Sequence, residues 1–434
     1  MIILIFSFLA INILSFWYLK RNIMNPINIL SIGFLVGALA LYYAKDDWNV
    51  SLENKTVFIL ILGTIVYCIG VLFAEFIVDA FFSESSLEKR NYLESRLSSN
   101  SVLIIALIIV EIIVTLVLYK YIMEFSGATS LSDAISYYRD TLMSANANLV
   151  QFPGWLNQMM KVTMAGSYVS LFIFMYFRLV RGEKESWVLV IPIIVYMVQS
   201  LLMGGRLQLI RVMLFTLICA YFLTMYKSKS SNKANHFVIA SSKWLIIILP
   251  FFYLIKGFLG RTSSDTFLTY IARYLGGPIE CFDLYIKGHY FSSHLKGQET
   301  FASIYQLITG KGDIQSLTFR WMQSPNGIWV GNVYTGYKRY FVDFGITGVF
   351  VLLFLLGLIF GYMYFVILRS IKRRNLAGYV LMCYGFFAYS IFFEFFDDTF
   401  FSVSFSVGTV LQLLEMYIFY RLFLVSAKSE KVIS

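Results

Sequence analysis

Arginines set beside glycines and carboxylates are the residues of this sequence best suited to chemistry. Arg206 follows Gly204-Gly205 and opens an apolar stretch. A helix beginning there offers free N–H groups and a partial positive charge, and the guanidinium adds a two-pronged donor that suits phosphate. Arg211 lies a little deeper in the same stretch, where a cation is costly and marks either a function or a buried partner. Arg261 and Arg273 flank a stretch, Thr266 to Leu275, for which Ser263-Ser264-Asp265 can serve as a helix cap. Gly276-Gly277 ends that helix, and Pro278 fits the first turn of another. These four arginines are the candidate anion-binding residues. The plainer reading of Arg206 is a side chain reaching up to lipid headgroups.

Candidate acids and bases follow closely. Glu280 and Asp283 share one helix face. Either carboxylate beside an arginine can act as a general base on a sugar hydroxyl, or can be half of a structural ion pair. His289 is a further candidate base, and His294 is its neighbour. Their spacing does not stack two ligands on one helix face, so no metal site is expected, and no CxxC pattern or other metal-ligand spacing occurs. Cys68, Cys219 and Cys383 fall in apolar runs, and Cys281 alone sits among polar residues. Glu111 and Glu415 sit within apolar runs, where a carboxylate faces the bundle and pairs with a cation, Arg211 or Lys161. Glu394, Asp397 and Asp398 cluster at the end of a span, where they can orient arginines, bind a cation or simply meet solvent.

The elements that must hold these residues are membrane spans. Only 14% of residues are charged and 59% are hydrophobic, against about 25% charged in soluble domains. About eleven stretches reach span length. They run approximately Ile2–Leu19, Ile27–Ala44, Val57–Val78, Val102–Tyr121, Trp155–Phe177, Trp187–Met203, Leu207–Tyr226, Trp244–Leu259, Tyr340–Leu368, Leu376–Phe396 and Val403–Leu424. The fold expected is therefore an all-α polytopic membrane protein. Residues 1–259 hold the first eight spans, 260–338 a large, partly helical outer loop, 339–425 the last three spans, and 426–434 a cytoplasmic tail. The N-terminus reads as an uncleaved first span. Leu131 to Ala145 reads as a short helix lying on the membrane.

Basic residues orient the spans. One set of alternate loops carries Lys20, Arg21, Lys89, Arg90, Arg178, Arg181, Lys227, Lys233, Arg369, Lys372, Arg373 and Arg374. The other set balances Lys45, Lys55 and Arg139 against Asp46, Asp47, Glu53, Asp133 and Asp140. The first set marks the cytoplasm, which puts the N-terminus outside, the C-terminus inside and the long loop outside. The net charge of +10 is scattered over short loops and this long one, not gathered as a nucleic-acid surface. From Lys256 to Arg339 the loop carries Arg320, Lys287, Lys296, Lys311 and Lys338 as well, enough to hold an anionic substrate. Its aromatics, Tyr270, Tyr274, Tyr285, Tyr290, Trp321, Trp329 and Tyr334, can stack on sugar rings.

The chain resembles the Wzy-type polymerases of bacterial O-antigen and capsule repeat units. Asn25-Pro26 before the second span, the Gly204-Gly205-Arg206 turn, the Arg273–Ile286 stretch (RYLGGPIECFDLYI) and Gly331–Gly348 (GNVYTGYKRYFVDFGITG) carry the likeness. The resemblance implies a GT-C-like membrane glycosyltransferase in the bacterial inner membrane. It would join oligosaccharide units carried on undecaprenyl diphosphate, without metal or cofactor, with membrane lipid and a chain-length regulator as further partners. Arg206, Arg261 and Arg273 then become diphosphate ligands, and Asp343 and Gly345 match the family's DxG element as a turn into a span. Three other readings stay open: an O-antigen ligase, a polyprenyl-phosphate-sugar transferase for which Asp46-Asp47 would be the acidic pair, and, as a non-enzyme, a lipid-linked oligosaccharide flippase.

Overall fold

The computed structural model describes residues 1–81, 97–142, 152–183, 187–258, 266–288, 296–310 and 320–426. These residues form an all-α, membrane-embedded bundle. Seven helices among them are long and apolar enough to cross a membrane: Pro26–Trp48, Asn54–Phe81, Ser101–Ser126, Gly154–Arg181, Leu207–Ser228, Gly336–Lys372 and Gly378–Phe395. Ile2–Tyr18 and Trp187–Leu202 are shorter apolar helices. Helices Ser231–Phe258 and Val407–Phe423 occupy the other two stretches that the sequence marks as spans.

In chain order the helices are α1 (Ile2–Tyr18), α2 (Pro26–Trp48), α3 (Asn54–Phe81), α4 (Ser101–Ser126), α5 (Leu131–Leu142), α6 (Gly154–Tyr176), α7 (Ile191–Leu202), α8 (Leu207–Ser228) and α9 (Ser231–Phe258). Then follow α10 (Phe267–Leu275), α11 (Gly277–Gly288), α12 (Ala302–Thr309), α13 (Gly336–Lys372), α14 (Gly378–Phe392) and α15 (Val407–Phe423). Among the described residues, strand pairing is confined to Leu97–Ser99 with Leu424–Ser426, and to a small hairpin of Met322–Gln323 with Trp329–Gly331.

Helices α3 and α13 pack along most of their length, and glycine makes that possible. A Cβ on Gly70 would stand 2.2 Å from the Phe354 carbonyl oxygen, and one on Gly357 would stand 2.2 Å from the Tyr67 carbonyl oxygen. Between apolar helices in lipid, close backbone approach supplies the association that the hydrophobic effect supplies in water. Helix α13 is broken at Gly345, whose φ of 65° and ψ of −161° no helix contains. The break separates a short polar start from the long apolar run after it. Asp343, just before the break, accepts from the backbone N–H of Thr300 at 2.6 Å and of Glu299 at 3.4 Å.

Two ends of the bundle differ in what fastens them. At one end the Asn22–Asn28 segment is tied by buried polar side chains. Asn25 caps α2 by accepting from the Asn28 N–H at 2.9 Å. Asn22 donates to the Tyr364 hydroxyl at 2.9 Å and accepts from the Tyr221 hydroxyl at 3.1 Å. The Tyr67 and Tyr384 hydroxyls donate to the carbonyls of Pro26 and Met24. At the other end lies the long polar segment after α9, which is more structured than a loop. Thr266, not Ser263–Asp265, is the helix cap seen: its hydroxyl accepts from the Thr269 N–H at 3.3 Å, and Ser263–Asp265 lie outside the described residues. Helix α5 packs on the same end through Ala134, Ile135 and Tyr138, against Leu118, Ile122 and Leu202.

Candidate functional site

The turn between α7 and α8 is held tight by its own backbone. Gly204 takes a φ of +71°, a conformation that glycine alone adopts without strain. The Gly204 and Gly205 N–H groups donate to the carbonyls of Leu201 and Ser200 at 2.9 and 3.0 Å. The turn delivers Arg206 to the N-cap of α8, where it is buried. Its two terminal nitrogens donate to the hydroxyls of Tyr270 and Tyr274, at 2.7 and 2.9 Å. These tyrosines lie one turn apart on one face of α10, so Arg206 locks α8 to α10. Burial and the adjacent Tyr274 raise the pKa of Tyr270, and the Arg206 hydrogen bond opposes that rise.

Arg273 lies on the same turn of α10, half-buried beside Tyr274. The helix that Arg206 grips therefore also carries Arg273. A third arginine belongs there. The Cβ and Cγ of Arg139 in α5 lie 3.4 and 3.6 Å from where a Gly204 Cβ would stand. Its guanidinium pairs with Asp140 at 2.7 Å. In the sequence Arg139 reads as one half of a balanced loop pair, and nothing local says that α5 folds back onto the glycine turn. Arg261, His289 and His294 lie outside the described residues.

Arg211 does not join this junction. Five residues along a helix turn a side chain by about 140° and carry it about 7 Å inward. Arg211 accordingly points into the bundle, between the rings of Phe386 and Tyr389, whose centroids are 3.9 and 4.1 Å from its guanidinium carbon.

Glu280 and Asp283 take different roles on α11. Asp283 is an anchor: one oxygen accepts from the Glu53 N–H at 2.9 Å, and the other pairs with Lys287 at 2.6 Å. Lys287 also donates to the Ser51 carbonyl, so the pair straps α11 to the start of α3. Glu280 is fully buried, and neither of its oxygens has a hydrogen-bond partner. Burial pushes its carboxyl up to about 7, Asp283 adds to the rise and Lys287 opposes it. The cation acting on these carboxylates is thus a lysine, not the arginine that the sequence suggested.

The carboxylates after α14 are buried, not solvated. Glu394 and Asp398 are wholly enclosed. Asp397 receives both prongs of Arg339, at 2.7 and 2.8 Å. Lys338 pairs with Glu299 at 2.6 Å, both nearly buried. Lys338 and Arg339 are therefore neutralised inside the fold and do not face a substrate. Asp398 accepts from the N–H groups of Phe400, Phe401 and Ser402 at 2.9 to 3.0 Å. Burial raises its pKa to about 6, against the pull of Arg339. The Tyr340 hydroxyl lies against both Glu394 and Asp398. Sequence reading saw the cluster at 394–398, and its suggestion that these carboxylates orient an arginine holds for Asp397, but it missed the wider network, whose members come from three separate stretches.

Glu111 is also resolved differently from expectation. Its partner is the Ser167 hydroxyl at 2.6 Å, not a cation. Lys161 acts instead on Glu415. Of the aromatics in the long segment, Tyr270 and Tyr274 are taken up by Arg206. The Tyr334 hydroxyl donates to the Arg320 carbonyl at 2.8 Å. Trp321 and Trp329 remain half exposed, edge to face on the hairpin with centroids 6.4 Å apart. Searches against known protein families, curated proteins and solved structures match nothing to this chain.

Proposed function

We propose that the chain is a glycosyltransferase that joins oligosaccharide repeat units carried on undecaprenyl diphosphate, a polymerase of the O-antigen or capsule kind. In this reading eleven helices span the bacterial inner membrane in a GT-C-like arrangement, with the α10–α12 segment outside and the basic end in the cytoplasm. The observation that supports it is the glycine turn that sets Arg206 against Tyr270 and Tyr274 of α10, the helix that also carries Arg273, with Arg139 packed on the same turn. Breaking the bond from an anomeric carbon to a diphosphate leaves negative charge on the departing oxygens, and fixed guanidinium donors stabilise that charge. The acceptor hydroxyl attacks the anomeric carbon and gives its proton to a base. Glu280, with its carboxyl pushed up to about 7, can take or release a proton near neutrality, as a base must. Trp321 and Trp329 offer apolar ring faces on which sugars stack.

One observation favours a second reading. A cation enclosed between helices, as Arg211 is, suits a flippase that draws a lipid diphosphate through its interior. Deleting the gene and separating the surface polysaccharide on a gel tests these readings together. Lipid A capped with a single repeat supports the polymerase, free lipid-linked polymer supports a ligase, and loss of all surface repeats supports the flippase.

A further inference from the structure

Among the described residues, Arg211 sits inside the bundle without a counter-charge. It is 6% exposed, and among the described residues its hydrogen bonding is limited to one contact, Nε to the Phe386 carbonyl at 3.4 Å. No carboxylate among those residues pairs with it. Three rings surround it: Phe386 and Tyr389 in contact, and Tyr168 with its centroid at 5.9 Å. A desolvated ring face contributes about 2 kcal/mol, whereas an ion buried without a partner costs several. The rings offset much of that cost but supply no oxygen acceptor for the guanidinium N–H groups beyond the Phe386 carbonyl.

The surroundings supply donors as well as charge. The Tyr168 hydroxyl is fully buried with no hydrogen-bond partner, and it lies within the field of Arg211, as Tyr196 does. The Tyr389 hydroxyl is 3.5 Å from the Ser404 hydroxyl, with Ser390 and Thr399 beside it. The chain leaves regular helix here, through a 3-10 turn at Phe393–Phe395 and a π turn at Phe400–Ser404. Such irregular turns are frequent at functional sites.

We infer that Arg211, Tyr168 and Tyr389 form an intramembrane site for a phosphate-bearing ligand, separate from the Arg206 junction. A guanidinium fork with hydroxyl donors on other sides fits the several acceptor oxygens of a phosphate. The phosphate belongs to a lipid headgroup or to a soluble anion, and the assignment holds whichever reaction the chain performs.

The test uses the full-length protein purified in detergent and carrying Arg206→Gln, which silences the other junction. Binding is followed by thermal unfolding during titration with two probes, inorganic diphosphate and a polyprenyl monophosphate. Saturable stabilisation by either probe is expected, and the probe that acts identifies the source. Adding Arg211→Gln or Tyr168→Phe should weaken the apparent affinity at least tenfold, and Arg211→Lys should not restore it. If Arg211→Gln does not purify as a folded protein, Tyr168→Phe, which removes a single oxygen, decides. No stabilisation by either probe, or equal affinity in the Tyr168→Phe protein, overturns the assignment. The polysaccharide gel is scored separately, so the polymerase reading can fail while this site stands.

Discussion

Arg206 and Tyr270, 64 residues apart in the chain, meet in a 2.7 Å hydrogen bond that fixes α8 against α10. The same guanidinium is therefore both a fastener of two helices and a member of the proposed diphosphate grip.

From this we expect Arg206→Ala and Arg273→Ala each to abolish the polysaccharide ladder while protein levels hold. Tyr270→Phe removes one of the two tyrosine bonds and should reduce the ladder without abolishing it. Immunoblots of membranes, read beside the gels, separate lost function from lost protein. Wild-type ladders from both arginine variants would remove the site assignment.

Raising the pH should move stability and activity in opposite directions. The Glu280 carboxyl has a pKa of about 7 in the fold and about 4.3 in an unfolded chain. Between those values the native state holds a proton that the unfolded state has lost, so stability falls as pH rises from about 5 through 7. Asp398, raised to about 6, adds to the same fall. Glu280→Gln should flatten its part of the decline in melting temperature. If Glu280 is the base, transfer rates rise through the same window and the glutamine variant is inactive at every pH.

Asp397→Asn should be strongly destabilising. It leaves the Arg339 guanidinium buried with half of its fork unmet, and breaking such a pair costs about 3 kcal/mol or more. Replacing both residues together with apolar ones of similar size should recover most of the loss in a detergent melting assay. Full stability of the single variant would mean that the pair is not buried as described.

Gly70→Ala and Gly357→Ala should each lower the melting temperature, because the new methyl meets a carbonyl oxygen of the facing helix. Overpacking of this kind costs about 1 to 3 kcal/mol. Alanine at Gly154, where a Cβ meets nothing within 4 Å, serves as the control and should melt like the wild type.

The helices were legible because an apolar run of span length has few other fates in a membrane. Gly276-Gly277 and Pro278 likewise marked helix ends by local rules, and the helices stop and begin there. What the sequence hid was partnership. Glu111 had two cations available by composition and chose a serine, because packing between α4 and α6 decides which side chains meet. Arg211 and Arg206 stand five residues apart on one helix, a spacing that already sets them on different faces but does not show that one enters the bundle between aromatic rings. The carboxylates at 394–398 looked solvated because nothing nearby in sequence shows that Lys338, Arg339 and Glu299 pack over them.

The polar fastening of residues 22–28 carries a consequence for biogenesis. Asn22 and its neighbours enter the bilayer early in synthesis, but their partners Tyr221, Tyr364 and Tyr384 emerge much later. Until the ribosome has made the last third of the chain, the first two helices hold unsatisfied amides at the membrane edge. This end of the bundle therefore closes only when the C-terminal helices have arrived, so the start of the chain is fastened by residues made near its finish.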